Sequence, residues 1–307
     1  MRPELEQALA GLQKNEPGAL ERALGLLQDT VYSFSMRVCG HREDAEDTMQ
    51  ETLMQAAKQL PRFDSPKALA VWLYKVAKSR CLMSRRKSRF APKEHLSLEV
   101  LMPDRAELER LSQAGADTPE RLLLAGESSE TVQSAVMRLP PEYRLILVLH
   151  DMEGLSTDEI ARVMSLREGT VRVRLHRARV FVRNELTTQT AGGRKELTPG
   201  RKKGGRREKV TKTKPAGCKD LFAKLSDYFD GQLDPGRCDD IEKHMDGCDP
   251  CKAFLESLER TVSLLRKHEP GKLDAETAAS FRSALLMEYQ QALRDLARAK
   301  PASDPAR

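Results

Sequence analysis

The stretch GLSTDEIARVMSLREGTVRVRLHRARVFVRNEL, residues 154–186, decides the fold of this chain. Ser156 and Glu159 have the spacing of a capping box, in which each side chain satisfies a backbone N–H that the start of a helix leaves without a partner. We therefore expect a short helix after Ser156, a tight turn, and a second helix that begins near Glu168 or Gly169. Two helices joined by so short a turn predict a helix-turn-helix.

The predicted second helix has one apolar face and one basic face. Its apolar side chains fall within about 60° of one another on a helical wheel, and they are Val171, Leu175, Ala178 and Val182. The opposite face and its flanks carry Gly169, Arg172, Val173, Arg174, His176, Arg177, Arg179 and Val180. A helix that packs through one face and offers Arg and His on the other suits the major groove of DNA. The alternative is an ordinary surface helix whose charged face is only solvated.

The composition fits a helical protein of two or three small domains. The chain has 307 residues, of which 32% are charged and only 5% are aromatic, and this balance favours helices with wide solvated faces over a β-sandwich. We therefore predict an all-α fold. No apolar run reaches the roughly 18 residues of a membrane span, and the N-terminus has no apolar signal segment. We expect a cytoplasmic protein whose six cysteines are thiols or metal ligands.

The positive charge is concentrated in three stretches. Residues 187–217 hold ten Lys and Arg against two Glu, residues 75–93 hold eight against no acid, and residues 167–183 hold six Arg against Glu168. The formal net charge of the whole chain is only +6. Separate basic stretches in a nearly neutral remainder indicate local contacts with phosphate rather than a generally basic protein.

Composition and the positions of Gly and Pro divide the chain into segments. Residues 188–217 have almost no apolar side chains and six glycines, so they cannot bury enough surface to offset the entropy of ordering, and we expect a disordered basic linker. The predicted segments are an N-terminal helical module (1–92), a linker (93–126), a helix-turn-helix module (127–187), the basic linker (188–217), a cysteine module (218–267), and a C-terminal helix with its tail (268–307).

The helix-turn-helix module resembles a known family. LPPEYRLILVLHDMEGLSTDEIA (139–161) followed by GTVRVRLHRAR (169–179) is similar to region four of extracytoplasmic-function sigma factors, the module that reads the minus-thirty-five promoter element. Ser165 stands where the turn of this family usually has glycine. The resemblance implies DNA contacts, in which Arg172, Val173, His176 and Arg177 face the bases while Arg174 and Arg179 hold phosphates.

The N-terminal module carries an amphipathic helix over residues 41–60, with an apolar stripe and an acidic face. On composition alone, that face is an ordinary solvated surface. DAEDTMQET (44–52) resembles the region-two helix by which sigma factors dock on core RNA polymerase. The resemblance implies that Asp47, Gln50 and Glu51 contact the polymerase through polar, directional pairing.

A second N-terminal helix, residues 68–89, ends in a dense basic run. WLYKVAKSR (72–80) is close to the pattern of the same family, in which this helix lies against the melted minus-ten element. The implied DNA-binding residues are Trp72, Lys75, Lys78, Arg80, Arg85 and Arg86. The more ordinary role of a lone tryptophan on a helix is packing in the core. Cys39 and Cys81 have no partner by spacing and are interpreted as buried structural thiols.

The cysteine module has the spacing of a metal site. Cys218, His244, Cys248 and Cys251 form C-x25-H-x3-C-x2-C, in which a histidine one helical turn before two close cysteines can share one tetrahedral ion with a distant fourth ligand. Such a set suits a structural Zn²⁺, with Cu⁺ as the alternative metal. The other interpretation is chance spacing of ordinary thiols. CKDLFAKLSDYFDGQLDPGRCDDIEKHMDGCDPC (218–251) resembles the zinc-binding anti-sigma domain, whose ligand set leaves Cys238 outside.

Together these features predict a sigma factor that binds core RNA polymerase and promoter DNA and directs transcription initiation. No nucleophile with a matching base and no phosphate loop is recognised, so no enzyme activity is expected. An intramolecular contact of the cysteine module with the sigma modules is also expected, and the last helix could extend it through an apolar stripe at Ala278, Phe281, Leu285, Tyr289 and Leu293 or Leu296. The alternatives are a conventional helix-turn-helix regulator that never binds polymerase, and a metal or thiol carrier.

Overall fold

The computed structural model describes residues 3–14, 17–84, 96–103, 128–190, 221–269, 271 and 273–299. Within these ranges the chain is helical and contains no strand, which confirms the predicted all-α class. The helices are α1 (Pro3–Gln13), α2 (Ala19–Cys39), α3 (Arg42–Gln59), α4 (Pro66–Ser84), α5 (Leu98–Leu101), α6 (Ser128–Arg138), α7 (Pro141–Leu147, continued by a π turn over Val148–Met152), α8 (Thr157–Met164), α9 (Glu168–Thr190), α10 (Leu225–Phe229), α11 (Pro235–Asp246), α12 (Asp249–Lys267) and α13 (Ala275–Ala299).

The chain forms two compact units that do not follow the order of the sequence. The first contains residues Met1–Arg89 together with Pro270–Arg307, and the second contains Phe90–Glu269. The C-terminal helix therefore belongs with the N-terminal module, while the cysteine module belongs with the helix-turn-helix.

The core of the first unit lies between α1, α2, α3 and α4. Leu27 and Phe34 of α2, Leu53 of α3 and Tyr74 of α4 are almost completely buried. The rings of Phe34 and Tyr74 meet edge to face with their centroids 4.9 Å apart, a favoured aromatic geometry. The apolar stripe predicted for residues 41–60 lies in this core.

Helix α13 packs against α2 and α3. The Gln28 side chain donates a hydrogen bond to the Ala278 carbonyl at 3.1 Å, and the Arg42 guanidinium pairs with Asp274 at 2.9 Å. Leu285 is buried. The first part of the apolar stripe predicted on this helix, which has no partner in its own segment, thus packs against the N-terminal module. The side chains of Tyr289, Leu293 and Leu296 lie outside the described residues.

The helix-turn-helix forms as the sequence predicts. The Ser156 hydroxyl accepts from the Glu159 N–H, and the Glu159 carboxylate accepts from the Ser156 N–H at 2.8 Å, so the capping box is present. Ser165 follows α8 as its C-cap, and its φ of 56° places a non-glycine residue in the left-handed region. Helix α9 then begins at Glu168, which confirms the predicted start.

Helix α9 is packed on more sides than its wheel predicts. On one side it contacts α10 and α12 of the cysteine module, and α5 also packs against it. The Asn184 amide donates to the Leu101 carbonyl at 2.9 Å, and the Arg183 guanidinium lies 4.6 Å from the centroid of the Phe254 ring. Residues 96–103 belong to the stretch predicted as a linker, and they pack here because Leu96, Leu101 and Met102 supply buried apolar side chains.

In the cysteine module, α12 supplies the apolar face. The Phe222 and Phe254 rings meet with centroids 4.4 Å apart, and Leu258, Val262 and Leu265 continue the buried stripe. Among the helices of the described chain, none combines the length and apolar character needed to cross a membrane.

Candidate DNA-reading helix and metal centre

The first turns of α9 present side chains that remain partly accessible. Arg172 pairs with Glu168, one turn earlier, at 2.6 Å, and also donates to the Gln232 amide oxygen at 3.2 Å. Val173 is 50% exposed, which is unusual for an apolar residue on a well-packed helix. The N-terminal residues of a recognition helix are those that reach base edges, so this end of α9 has the geometry for base contact.

Arg174 and Arg177 are fixed by partners within the same unit. Arg174 pairs with Glu142 at 2.7 Å and lies over the Tyr143 ring, 5.8 Å from its centroid. Arg177 donates to the Leu96 carbonyl at 3.1 Å. Both guanidinium groups are thus half-buried and oriented, although α9 carries them on the predicted basic face.

His176 and Arg179 are not exposed as the wheel predicts. His176 is 4% exposed and Arg179 is fully buried, because the cysteine module covers this part of α9. The His176 Nδ1 lies 2.9 Å from the Ser226 hydroxyl of α10. Burial lowers the pKa of His176 to about 4, and the neighbouring guanidinium groups of Arg179 and Arg177 add to this effect. A neutral His176 in contact with Ser226 does not face DNA in this arrangement.

Arg179 joins two carboxylates from different modules. It bonds Asp151 of the helix-turn-helix module through Nε at 2.9 Å, and Asp230 of the cysteine module through Nη1 at 2.7 Å. Burial by itself would raise the pKa of Asp151, but the Arg179 charge and hydrogen bonds outweigh it and hold that pKa well below its usual range. The predicted phosphate contact of Arg179 is therefore replaced here by an acidic turn of the same chain.

The predicted polymerase-docking residues lie on an accessible face of α3. Asp47 and Glu51 are exposed and Gln50 is partly exposed. Glu51 pairs with Arg80 of α4 at 2.7 Å, and the Glu51 side chain is exposed whereas that of Arg80 is partly buried. The structure thus brings together a residue predicted to touch polymerase and one predicted to touch the minus-ten strand.

The predicted minus-ten residues of α4 range from half-buried to exposed. Trp72 is half-buried, with its ring 5.5 Å from that of Phe63 in the preceding loop. Lys75 is exposed, whereas partial burial lowers the pKa of Lys78, helped by the charge of Lys75. The two remaining predicted residues, Arg85 and Arg86, lie outside the described residues.

Three of the four predicted metal ligands converge. The ligand atoms of His244, Cys248 and Cys251 all lie within 4.8 Å of one another. Helix α11 carries His244 near its end, Cys248 is the N-cap of α12, and Cys251 lies in the first turn of α12. An imidazole and two thiolates at this separation fit a Zn²⁺ ion. Cys218 lies outside the described residues, and Cys238 is not part of the cluster.

Sequence reasoning missed the residues of the cysteine module that hold α9. Ser226, Asp230 and Gln232 each bond a polar side chain of the predicted DNA face. Two of them lie in or next to the acidic turn DGQLD. The acidity of this turn beside a basic recognition helix is the one sequence feature that could have indicated the contact.

Known families match three parts of the chain. The matching family models are described as "Sigma-70 region 2" over residues 25–90, "Sigma-70, region 4" over 129–182, and "Putative zinc-finger" over 218–252. Helices α3 and α4 fall in the first match, and residues 168–182 of α9 fall in the second.

Curated relatives match over about half of the chain. The ECF RNA polymerase sigma factor SigW of Bacillus subtilis (strain 168) is 29% identical over 184 residues, covering 59% of this chain and 96% of the relative. The RNA polymerase sigma-H factor of Pseudomonas aeruginosa is 30% identical, with coverages of 59% and 93%. The ECF RNA polymerase sigma-E factor of Escherichia coli (strain K12) is 30% identical, with coverages of 47% and 74%.

The chain belongs to the ECF RNA polymerase sigma factors. In this sigma factor, the helix that matches region 4 is covered by a module that matches a zinc-finger family. That combination makes the contacts of Arg179 and His176 the central feature of the site.

Proposed function

We propose that this sigma factor joins core RNA polymerase, recognises the minus-ten element through its N-terminal module and the minus-thirty-five element through α9, and directs transcription initiation. We further propose that the zinc-loaded cysteine module restrains α9 in cis. The observation that carries the second part is the set of hydrogen bonds that join Arg172, His176 and Arg179 to the cysteine module.

The first part is supported by the family and by accessible groups in the predicted places. Asp47 and Glu51 offer exposed carboxylates for a basic polymerase surface. Arg172 and Val173 lie at the accessible N-terminal end of α9. Changing Asp47 and Glu51 together to Ala should lower affinity for core polymerase, while Glu43→Ala, at an exposed position on the same helix, should not.

The restraint is supported by electrostatics and burial. Arg179 is buried between Asp151 and Asp230, so its guanidinium contacts two carboxylates in place of water. A DNA phosphate must displace at least Asp230 to reach it. Leaving a buried charge without its partner costs free energy. DNA and the cysteine module therefore compete for the same guanidinium, and the module acts as an inhibitor.

Zinc would be held by His244, Cys248 and Cys251, with Cys218 as the predicted fourth ligand. A structural zinc ion supplies folding free energy to a small module. The ligand-bearing ends of α11 and α12 would then be fixed relative to each other. Changing Cys248 and Cys251 to Ser should weaken the module and with it the hold on α9.

The test is promoter-duplex binding and in-vitro transcription with core polymerase by the full chain and by Asp230→Ala. Hydrogen bonds to a charged group contribute about 1.5–3 kcal/mol, so Asp230→Ala should strengthen minus-thirty-five binding roughly tenfold or more. Asp240→Ala, at an exposed position on α11, is the matched control and should leave binding unchanged. Equal binding by the two variants and the unmodified chain would overturn the restraint but leave the sigma-factor role standing.

A further inference from the structure

Two cysteines that lie far apart in the sequence meet inside the N-terminal module. Cys39 is the last residue of α2, and Cys81 lies three residues before the described end of α4. Their sulfur atoms are 2.8 Å apart, and the residues are 1% and 2% exposed. The sequence predicts that both are buried but identifies no partner for either, because a separation of 42 residues carries no local spacing signal.

The pair is distinct from the candidate metal centre. His244, Cys248 and Cys251 belong to the other compact unit, whereas Cys39 and Cys81 belong to the unit of α1–α4 and α13. The Thr48 hydroxyl of α3 lies 3.7 Å from the Cys81 sulfur. The two thiols thus lie where α2, α3 and α4 meet.

We infer that Cys39 and Cys81 form a reversible disulfide when the protein meets a hydroperoxide, and that this bond locks α2 to α4. A disulfide has an S–S distance of about 2.05 Å, so the sulfur atoms need to approach by less than about 1 Å. Cys39 is the last residue of α2, and helix ends are where local opening costs the least free energy. The lock would hold the predicted minus-ten helix to the helix that precedes the predicted polymerase-docking helix.

The chemistry balances with one hydroperoxide. The thiolate of one cysteine attacks the peroxide oxygen, the O–O bond breaks, and a sulfenic acid forms with release of water or an alcohol. The second thiol then attacks the sulfenic sulfur, the S–S bond forms, and water leaves. Two thiols lose two electrons and two protons, and the peroxide is reduced.

Burial and proximity set the order of events. Oxidant reaches a buried thiol only during transient opening, so the first step is slow. The second thiol is already in contact, so the second step is effectively intramolecular and fast. Sulfenic acid should therefore not accumulate in the unmodified protein, but a sulfenic-acid reagent should trap it in whichever of Cys39→Ala and Cys81→Ser keeps the thiol that the peroxide oxidises.

The chain offers a direct readout of the bond. Trypsin cuts after Arg37, Arg42, Arg80 and Arg85 and releases Cys39 in VCGHR and Cys81 in CLMSR. The reduced full chain is treated with hydrogen peroxide, alkylated, digested and analysed by mass spectrometry. We expect the two peptides linked, and separated again by dithiothreitol. Cys39→Ala should abolish the linked species, and Cys238→Ser, the matched control, should keep it.

The unmodified chain alone can overturn the inference. If Cys248 and Cys251 are oxidised while the free Cys39 and Cys81 peptides are recovered undiminished, the pair is not a disulfide site. The lock is tested separately by thermal unfolding, in which the linked protein should melt several degrees higher than the reduced protein. A linked protein that melts with the reduced one would overturn the lock.

Discussion

Ser165, in the turn of the helix-turn-helix, has a backbone conformation that is unfavourable for a residue with a side chain. Its φ of 56° is left-handed, and a side chain there costs about 1–2 kcal/mol that glycine avoids. The Ser165 N–H still caps α8 by bonding the Ala161 carbonyl. The surrounding helices therefore hold a backbone conformation that serine disfavours.

Ser165→Gly should raise the free energy of unfolding by about 0.5–1 kcal/mol, because relief of this strain exceeds the entropy that glycine adds to the unfolded chain. The matched control is Ala161→Gly, within regular α8, which should lower it by about 1 kcal/mol. Urea unfolding monitored by circular dichroism measures both. A decrease in both variants would show that Ser165 is not strained.

His176 gives the region around α9 a dependence on pH. Burial lowers its pKa to about 4, whereas an unfolded histidine has a pKa of about 6.5. As pH falls through this window the unfolded chain takes up the proton first, so stability is full above the upper value and is lost toward the lower one. Between about pH 7.5 and about pH 5, His176 should account for a loss of about 2 kcal/mol.

His176→Gln should remove that loss, because glutamine does not titrate. The comparison is the difference in unfolding free energy between the two pH values for the unmodified chain and for the variant. Protonation of the cysteine module's metal ligands contributes equally to both proteins and cancels. Identical pH dependence in the two proteins would contradict a buried neutral His176.

At the scale of single residues, a contact could be predicted from the sequence only where its two residues lie close together along the chain. The capping box joins residues three apart, so Ser156 and Glu159 could be paired from the sequence. The partners of His176 and Arg179 lie 50 and 51 residues further on, and no local pattern identifies them. The contact between Cys39 and Cys81 could not be predicted for the same reason, since the two residues lie 42 positions apart.

At the scale of elements, the helices themselves were predictable because caps and helical periodicity are local. The predicted helix at 41–60 is α3, and the C-terminal helix predicted within residues 268–307 is α13 (Ala275–Ala299). Which surface covers an apolar stripe is not local. The apolar stripe of α13 packs on α2 and α3. Helix α5, which lies in a stretch predicted as a linker, packs on α9.

Helix α13 offers a matched pair of positions to test its docking. Leu285 is 4% exposed and Met287, two residues away, is 70% exposed. Leu285→Ala should cost about 2–3 kcal/mol and speed amide hydrogen exchange in α13, whereas Met287→Ala should change stability by less than about 0.5 kcal/mol. If both variants leave the exchange of α13 unchanged, α13 is not held through Leu285.

At the scale of the whole molecule, one C-terminal stretch supplies a contact to each compact unit. The cysteine module packs on α9 within one unit, and α13 packs on α2 and α3 within the other. Between α9 and the cysteine module lies the segment predicted from composition to be a flexible linker, residues 188–217, most of which falls outside the described residues. Its role as a tether stays a prediction.

That role can be tested by cutting the tether. A flexible tether of about 30 residues has a root-mean-square length of roughly 30 Å and gives an effective concentration on the order of millimolar. In the intact chain the restraint on α9 is intramolecular. The apparent affinity for the minus-thirty-five duplex should therefore not change when the protein is diluted. After cleavage at a protease site introduced within 198–210, the two pieces are held together only by their contacts. Dilution from about 10 µM to about 10 nM should then release α9 and raise its apparent affinity for the promoter duplex. Fluorescence anisotropy with a promoter duplex at constant salt measures this, with the uncut protein carrying the same inserted site as control. If cut and uncut proteins bind identically at every dilution, the tether does not maintain the restraint.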